Sequence, residues 1–151
     1  VCRVAPSLDA TVLGCSSTAY LAEHFVAGAR DMKYPYYYYS TWFYLLIITS
    51  ILFHGFYPKS IVMNLIDKIP ILGIVATGSY IFYTKTNVVS YPKKITFGLF
   101  IIGSFVYVLL IFFYGFLTEQ FCFNPDQKIA NTYHAMIHLV SSISHHAIIM
   151  M

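Results

Sequence analysis

Two histidines four residues apart, His134 and His138, open the last apolar stretch of the chain. On a helix, residues at this spacing stand one above the other on the same face. Together they can grip one metal ion. A third imidazole, His54, closes an earlier apolar run and follows Ser50 by the same interval. Three imidazoles with one open position form the ligand set of a catalytic zinc. Asp67, beside another apolar segment, could hold the reacting water, and Ser50 could hydrogen-bond that water or a developing oxyanion. Ionisable residues among long apolar runs are costly, which marks them as functional candidates.

The elements that must position these groups follow from composition. Of 151 residues, 58% are hydrophobic and only 10% are charged, too few for the surface of a soluble domain of this size. The apolar residues fall in long runs, not in amphipathic alternation. The expected fold is all-α, a single polytopic membrane helix bundle over residues 1–151. The net charge of +3 is scattered singly apart from Lys93-Lys94, which argues against a nucleic-acid partner. Cys2, Cys15 and Cys122 form no C-x-x-C pair, so neither a zinc knuckle nor a redox motif is readable. The chain begins at Val1 and stops at Met151 inside an apolar stretch, which is compatible with a fragment or a processed form.

About five membrane helices are expected, at roughly 7–29, 39–57, 61–83, 95–117 and 129–151. The first is rich in small residues and suits close packing against a neighbour. Residues 30–35 read as a polar break, and Tyr36 to Tyr39 with Trp42 as an interfacial aromatic belt. Pro58-Lys59-Ser60 and Asn124-Pro125-Asp126 read as turns. Pro70 is expected either to kink the third helix or to mark its first turn, should that helix start near Asp67. These boundaries place Ser50 and His54 at the end of helix two and Asp67 near the start of helix three. Helix four then returns the chain to the side where His134 and His138 begin helix five. All five residues are thus expected at similar depth on one face of the membrane.

The ordered set Ser-x-x-x-His, Asp, His-x-x-x-His, each near a helix end, resembles the CREST superfamily of membrane hydrolases. That group includes the alkaline ceramidases, the adiponectin and progestin receptors and the Per-type GPI-lipid remodelling proteins. Thr49-Ser50-Ile51-Leu52-Phe53-His54 is similar to the second-helix motif of that family. Leu65-Ile66-Asp67-Lys68-Ile69 is similar to its third-helix start, and Tyr133-His134-Ala135-Met136-Ile137-His138 to its last-helix motif. The resemblance covers about residues 39–151. It implies zinc on His54, His134 and His138, with Asp67 and Ser50 beside the reacting water, and hydrolysis of a lipid amide or ester. Two features depart from the family. It has seven helices where five are expected here, and its first-helix acidic motif has no match, Glu23 being too weak a candidate to carry over.

Ser141 and His145 return to nearly the same helix face as His134 and could serve as second-layer groups around the metal or simply bond neighbouring helices. Two other functions use fewer of these residues. His54 with His134 or His138 could ligate haem, as in membrane-anchor subunits of respiratory complexes, or the chain could be a structural subunit without a cofactor. The expected partners are a membrane lipid substrate, the bilayer and, where the bundle is incomplete, other membrane subunits. Arg30, Lys33, Lys85, Lys93 and Lys94 give the side that holds them a slight bias toward the cytoplasm, and the organelle is not readable.

Overall fold

The computed structural model describes residues 8–26, 33–57 and 59–151, and every element among them is helical, with no strand. The elements are α1 (Leu8–Val26), α2 (Lys33–Ser50), α3 (Ile61–Thr86), α4 (Tyr91–Thr118) and α5 (Gln127–Met150). α2 runs on into a π-helical segment, Ile51–Phe56, and a 3₁₀ turn, Phe121–Phe123, links α4 to α5. Among the described residues, three stretches are long and apolar enough to cross a membrane: Tyr34–Phe56, Ile61–Thr86 and Tyr91–Phe123. α1 and α5 are not among them. Asp9, Glu23 and His24 in α1 and four histidines in α5 lower their hydropathy.

Local signals set the helix starts. Ser60 caps α3 by accepting from the Met63 amide at 3.2 Å. Asn124 accepts from the Asp126 amide at 2.8 Å, and Asp126 in turn caps α5 by accepting from the Lys128 amide at 2.8 Å. The turn expected at 124–126 is therefore present. Pro35 and Pro92 fall in the first turns of α2 and α4, where no amide donor is needed. Pro70 lies well inside α3, which begins at Ile61, so the first-turn reading of this proline is corrected. Helix two also begins earlier than expected, at Lys33. Residues 27–32, including the end of the first expected helix and half of the polar break, lie outside the described residues, as do Cys2 and Pro58.

Each inward face repeats every three to four residues. In α2 the buried positions are Tyr36, Tyr39, Ser40, Phe43, Leu46 and Ser50. In α3 they are Asp67, Pro70, Ile74, Gly78 and Ile81. This is the a/d spacing of helices that cross at a shallow angle. The tyrosine run is split accordingly. Tyr36 and Tyr39 are 1% and 0% exposed, whereas Tyr37 and Tyr38 face outward at 60% and 57%. Two of the four tyrosines read, with Trp42, as an aromatic belt are therefore core residues.

The helices follow one another in space as α4, α5, α1, α2 and α3. The ring closes through lighter contact between α3 and α5. Small residues set the approach of α2 to α3. A Cβ on Gly73 would run into the Trp42 ring, and one on Gly78 would come 2.9 Å from the Tyr39 hydroxyl. At one end of the bundle Lys85 of α3 donates to the carbonyls of Ile148, at 3.2 Å, and Ile149 in the last turn of α5. Its ammonium also lies 5.5 Å from the Tyr36 ring centroid. A cation at a helix C-terminus satisfies carbonyls that have no partner within the helix. The sequence-predicted site lies at the other end.

Candidate functional site

Three elements distant in the chain meet at that other end. Ser50 ends α2, Asp67 lies two turns into α3, and His134 and His138 lie early in α5. Ser50 and Asp67 are on the inward stripes of their helices, at 2% and 8% exposure. The loop between them is short, so two consecutive antiparallel helices bring them together. The Ser50 hydroxyl donates to Asp67 Oδ1 at 2.7 Å. The hydroxyl of Thr49 donates to the same oxygen at 3.0 Å.

His54 stands in the π-helical segment, where the Tyr57 amide bonds back five residues to the Leu52 carbonyl at 2.9 Å. Single π turns occur frequently at functional sites. His54 packs on Phe53, with ring centroids 4.7 Å apart, and faces His134 at 6.2 Å between centroids. The His134 and His138 rings are 4.6 Å apart, and their Nε2 atoms approach to 2.9 Å. His54 is an electrostatic neighbour of both, and Asp67 of His138.

Two imidazoles on one tetrahedral zinc would place their nitrogens about 3.3 Å and their ring centroids about 5 Å apart. The His134–His138 pair sits close to those values, and the His54–His134 separation is about 1 Å longer. Among the described residues no three donors are yet near enough to share an ion. The chemistry of the pair fits a cation nevertheless. One imidazole with its proton on Nε2 donates to the other at 2.9 Å, and with both protons on Nδ1 the two Nε2 lone pairs are left to face a single ion.

The remaining candidates fall elsewhere. His145 sits two turns beyond His138, where Nδ1 is 2.5 Å from the Tyr39 hydroxyl and the ring packs edge-on against Phe43. Ser141 is half-buried, and no hydrogen bond to the histidine cluster is seen for it. Its neighbour Ser142 instead joins α1 to α5. Ser142 Oγ donates to the Gly14 carbonyl at 3.1 Å and lies 3.2 Å from Thr18 Oγ1. His146 Nδ1, 2.7 Å from the Ser142 carbonyl, belongs to the same knot, and the sequence alone had given it no role. Glu23 and His24 are exposed on the last turns of α1. Two shallow surface grooves, one between α2 and α3 at Tyr38, Trp42 and Tyr80, the other between α4 and α5 at Phe100, Tyr107 and Val140, contain no member of the cluster.

Sequence reasoning missed one hydrogen-bond partner of Asp67, Thr49. A threonine late in an apolar helix ordinarily bonds its own backbone, so its type gave no signal. Comparison of the chain with protein-family models, with curated proteins and with solved structures returned no match.

Proposed function

We propose that the chain is a multi-pass membrane protein of five helices and acts as a CREST-like, zinc-dependent hydrolase of a lipid amide or ester. The observation that carries this reading is the His134–His138 pair, 4.6 Å between ring centroids, with the His54 ring 6.2 Å from His134, at the same end of the bundle as the hydrogen-bonded Ser50 and Asp67. Buried polar groups drawn from three otherwise apolar regions are expensive, and a function offsets that cost. In this reading α1 and α5 turn their polar sides to each other, where Thr18, Ser142 and His146 find partners across the interface or in the backbone.

A zinc ion held by the three imidazoles would polarise the scissile carbonyl and acidify water. The carboxylate of Asp67 takes the proton from the attacking water as oxygen bonds to the carbonyl carbon. It returns that proton to the amine or alcohol as the carbon–nitrogen or carbon–oxygen bond breaks. Ser50 holds the carboxylate. The products are a fatty acid and the amine or alcohol that carried it.

The test is metal analysis and an absorption spectrum of the purified protein, followed by incubation with ceramide and ester lipids in mixed micelles. Stoichiometric zinc, no haem band and release of fatty acid are expected. A haem spectrum would favour a respiratory-type anchor subunit, and neither metal nor haem would favour a structural one. Zinc without cleavage of any lipid amide or ester would overturn the hydrolase reading.

A further inference from the structure

Asp67 Oδ1 receives two hydroxyls from consecutive residues, Ser50 at 2.7 Å and Thr49 at 3.0 Å. Consecutive residues of a helix point about 100° apart, so they seldom reach one atom. Here both hydroxyls reach Asp67 Oδ1 from the last turn of α2. Thr49 has a local alternative, the Leu46 carbonyl at 3.2 Å. It has a single proton to give. A charged acceptor forms the stronger bond, and the carboxylate is also the nearer of the two. Two donors occupy both lone pairs of Oδ1. None of the hydrogen bonds seen among the described residues reaches Oδ2.

We infer that Thr49 is a positioning residue for Asp67: with Ser50 it pins Oδ1 and stops the carboxyl group turning, which leaves Oδ2 as the oxygen that handles the proton of the water. The inference rests on the hydrolase reading for the reaction it serves, but the pinned carboxylate is a property of the fold. Ser50 alone would fix a distance and leave rotation about the carboxyl bond. The second donor, from a different direction, removes that freedom. The arrangement assigns unequal tasks to the two oxygens before any substrate arrives.

The experiment compares wild type, Thr49→Val, which keeps the branched shape without the hydroxyl, and Thr49→Ser, which keeps the hydroxyl, all as the full chain loaded with zinc. For hydrolysis of a lipid amide, Thr49→Val should lower kcat roughly tenfold with KM and zinc content near wild type, and Thr49→Ser should restore most of it. A second readout does not need turnover. The infrared carboxylate bands of Asp67, isolated by subtracting the Asp67→Asn spectrum, should shift in Thr49→Val and return in Thr49→Ser. Unshifted bands would overturn the inference whatever the activity. Shifted bands with an unchanged kcat would overturn the catalytic role assigned to the pinning. Shifted bands in a wild-type protein that cleaves no lipid would leave the pinned carboxylate standing and remove the hydrolase reading instead.

Discussion

Ser50 and Asp67, 17 residues apart on neighbouring helices, are joined by a 2.7 Å hydrogen bond between two nearly fully buried side chains. The bond is a consequence of register. Ser50 continues the stripe of Tyr39, Phe43 and Leu46, and Asp67 stands seven and fourteen residues before Ile74 and Ile81. The same periodicity that packs the apolar rings and branched chains thus carries a hydroxyl and a carboxylate inward, at the end where the two helices are tethered by a short loop.

Ser50→Ala should weaken the hold on Asp67 without removing it, because Thr49 still donates. A hydrogen bond to a charged group contributes about 1.5–3 kcal/mol. Hydrolysis is expected to fall roughly tenfold to a hundredfold, with zinc content unchanged in metal analysis of the purified variant. Full activity would show that this bond is dispensable to the reaction.

Asp67→Asn keeps an oxygen for both hydroxyls and so preserves the packing. What it removes is the proton acceptor. Turnover of a lipid amide is expected to drop by about 10²–10⁴ at constant zinc content. A zinc-loaded Asp67→Asn protein with wild-type turnover would remove Asp67 from the mechanism.

His138→Ala separates metal binding from folding. Zinc and activity should be lost together, since two remaining imidazoles hold the ion poorly. Helical content by circular dichroism should stay near wild type. X-ray absorption on the wild-type protein should give nitrogen–zinc distances of about 2.0–2.1 Å. Retained stoichiometric zinc in His138→Ala would mean that other groups bind it.

Tyr39→Phe tests whether His145 belongs to the metal centre. The variant leaves Nδ1 of a half-buried ring without its 2.5 Å partner, at a cost of about 1–3 kcal/mol in stability. Thermal unfolding in detergent should shift down while zinc content holds. A loss of zinc would tie this distant pair to the cluster.

His54, His134, His138, Ser50 and Asp67 stood out in the chain as candidates because polar residues at helical spacing contrast with apolar runs. The same contrast gave the all-helical class. Other features have no such mark. Tyr36 and Tyr39 look identical in sequence to Tyr37 and Tyr38, and only the position of the neighbouring helices decides which pair is enclosed. The knot of Gly14, Thr18, Ser142 and His146 is assembled across the α1–α5 interface, so neither strand of sequence shows it alone. The first-turn reading of Pro70 failed for a related reason. α3 starts at Ser60 through a serine cap, which outweighs a proline ten residues later.

The π-helical segment at Ile51–Phe56 has a different kind of consequence. Such a turn accommodates one residue more than an α turn. The aim of His54 therefore depends on how many residues lie between Ser50 and Tyr57, and much less on which apolar residues they are. Exchanging Leu52 for another aliphatic side chain leaves the count intact. Deleting one residue lets the turn relax to an ordinary helix and swings the imidazole off its line toward α5. At this point the chain stores the direction of a ligand as a length.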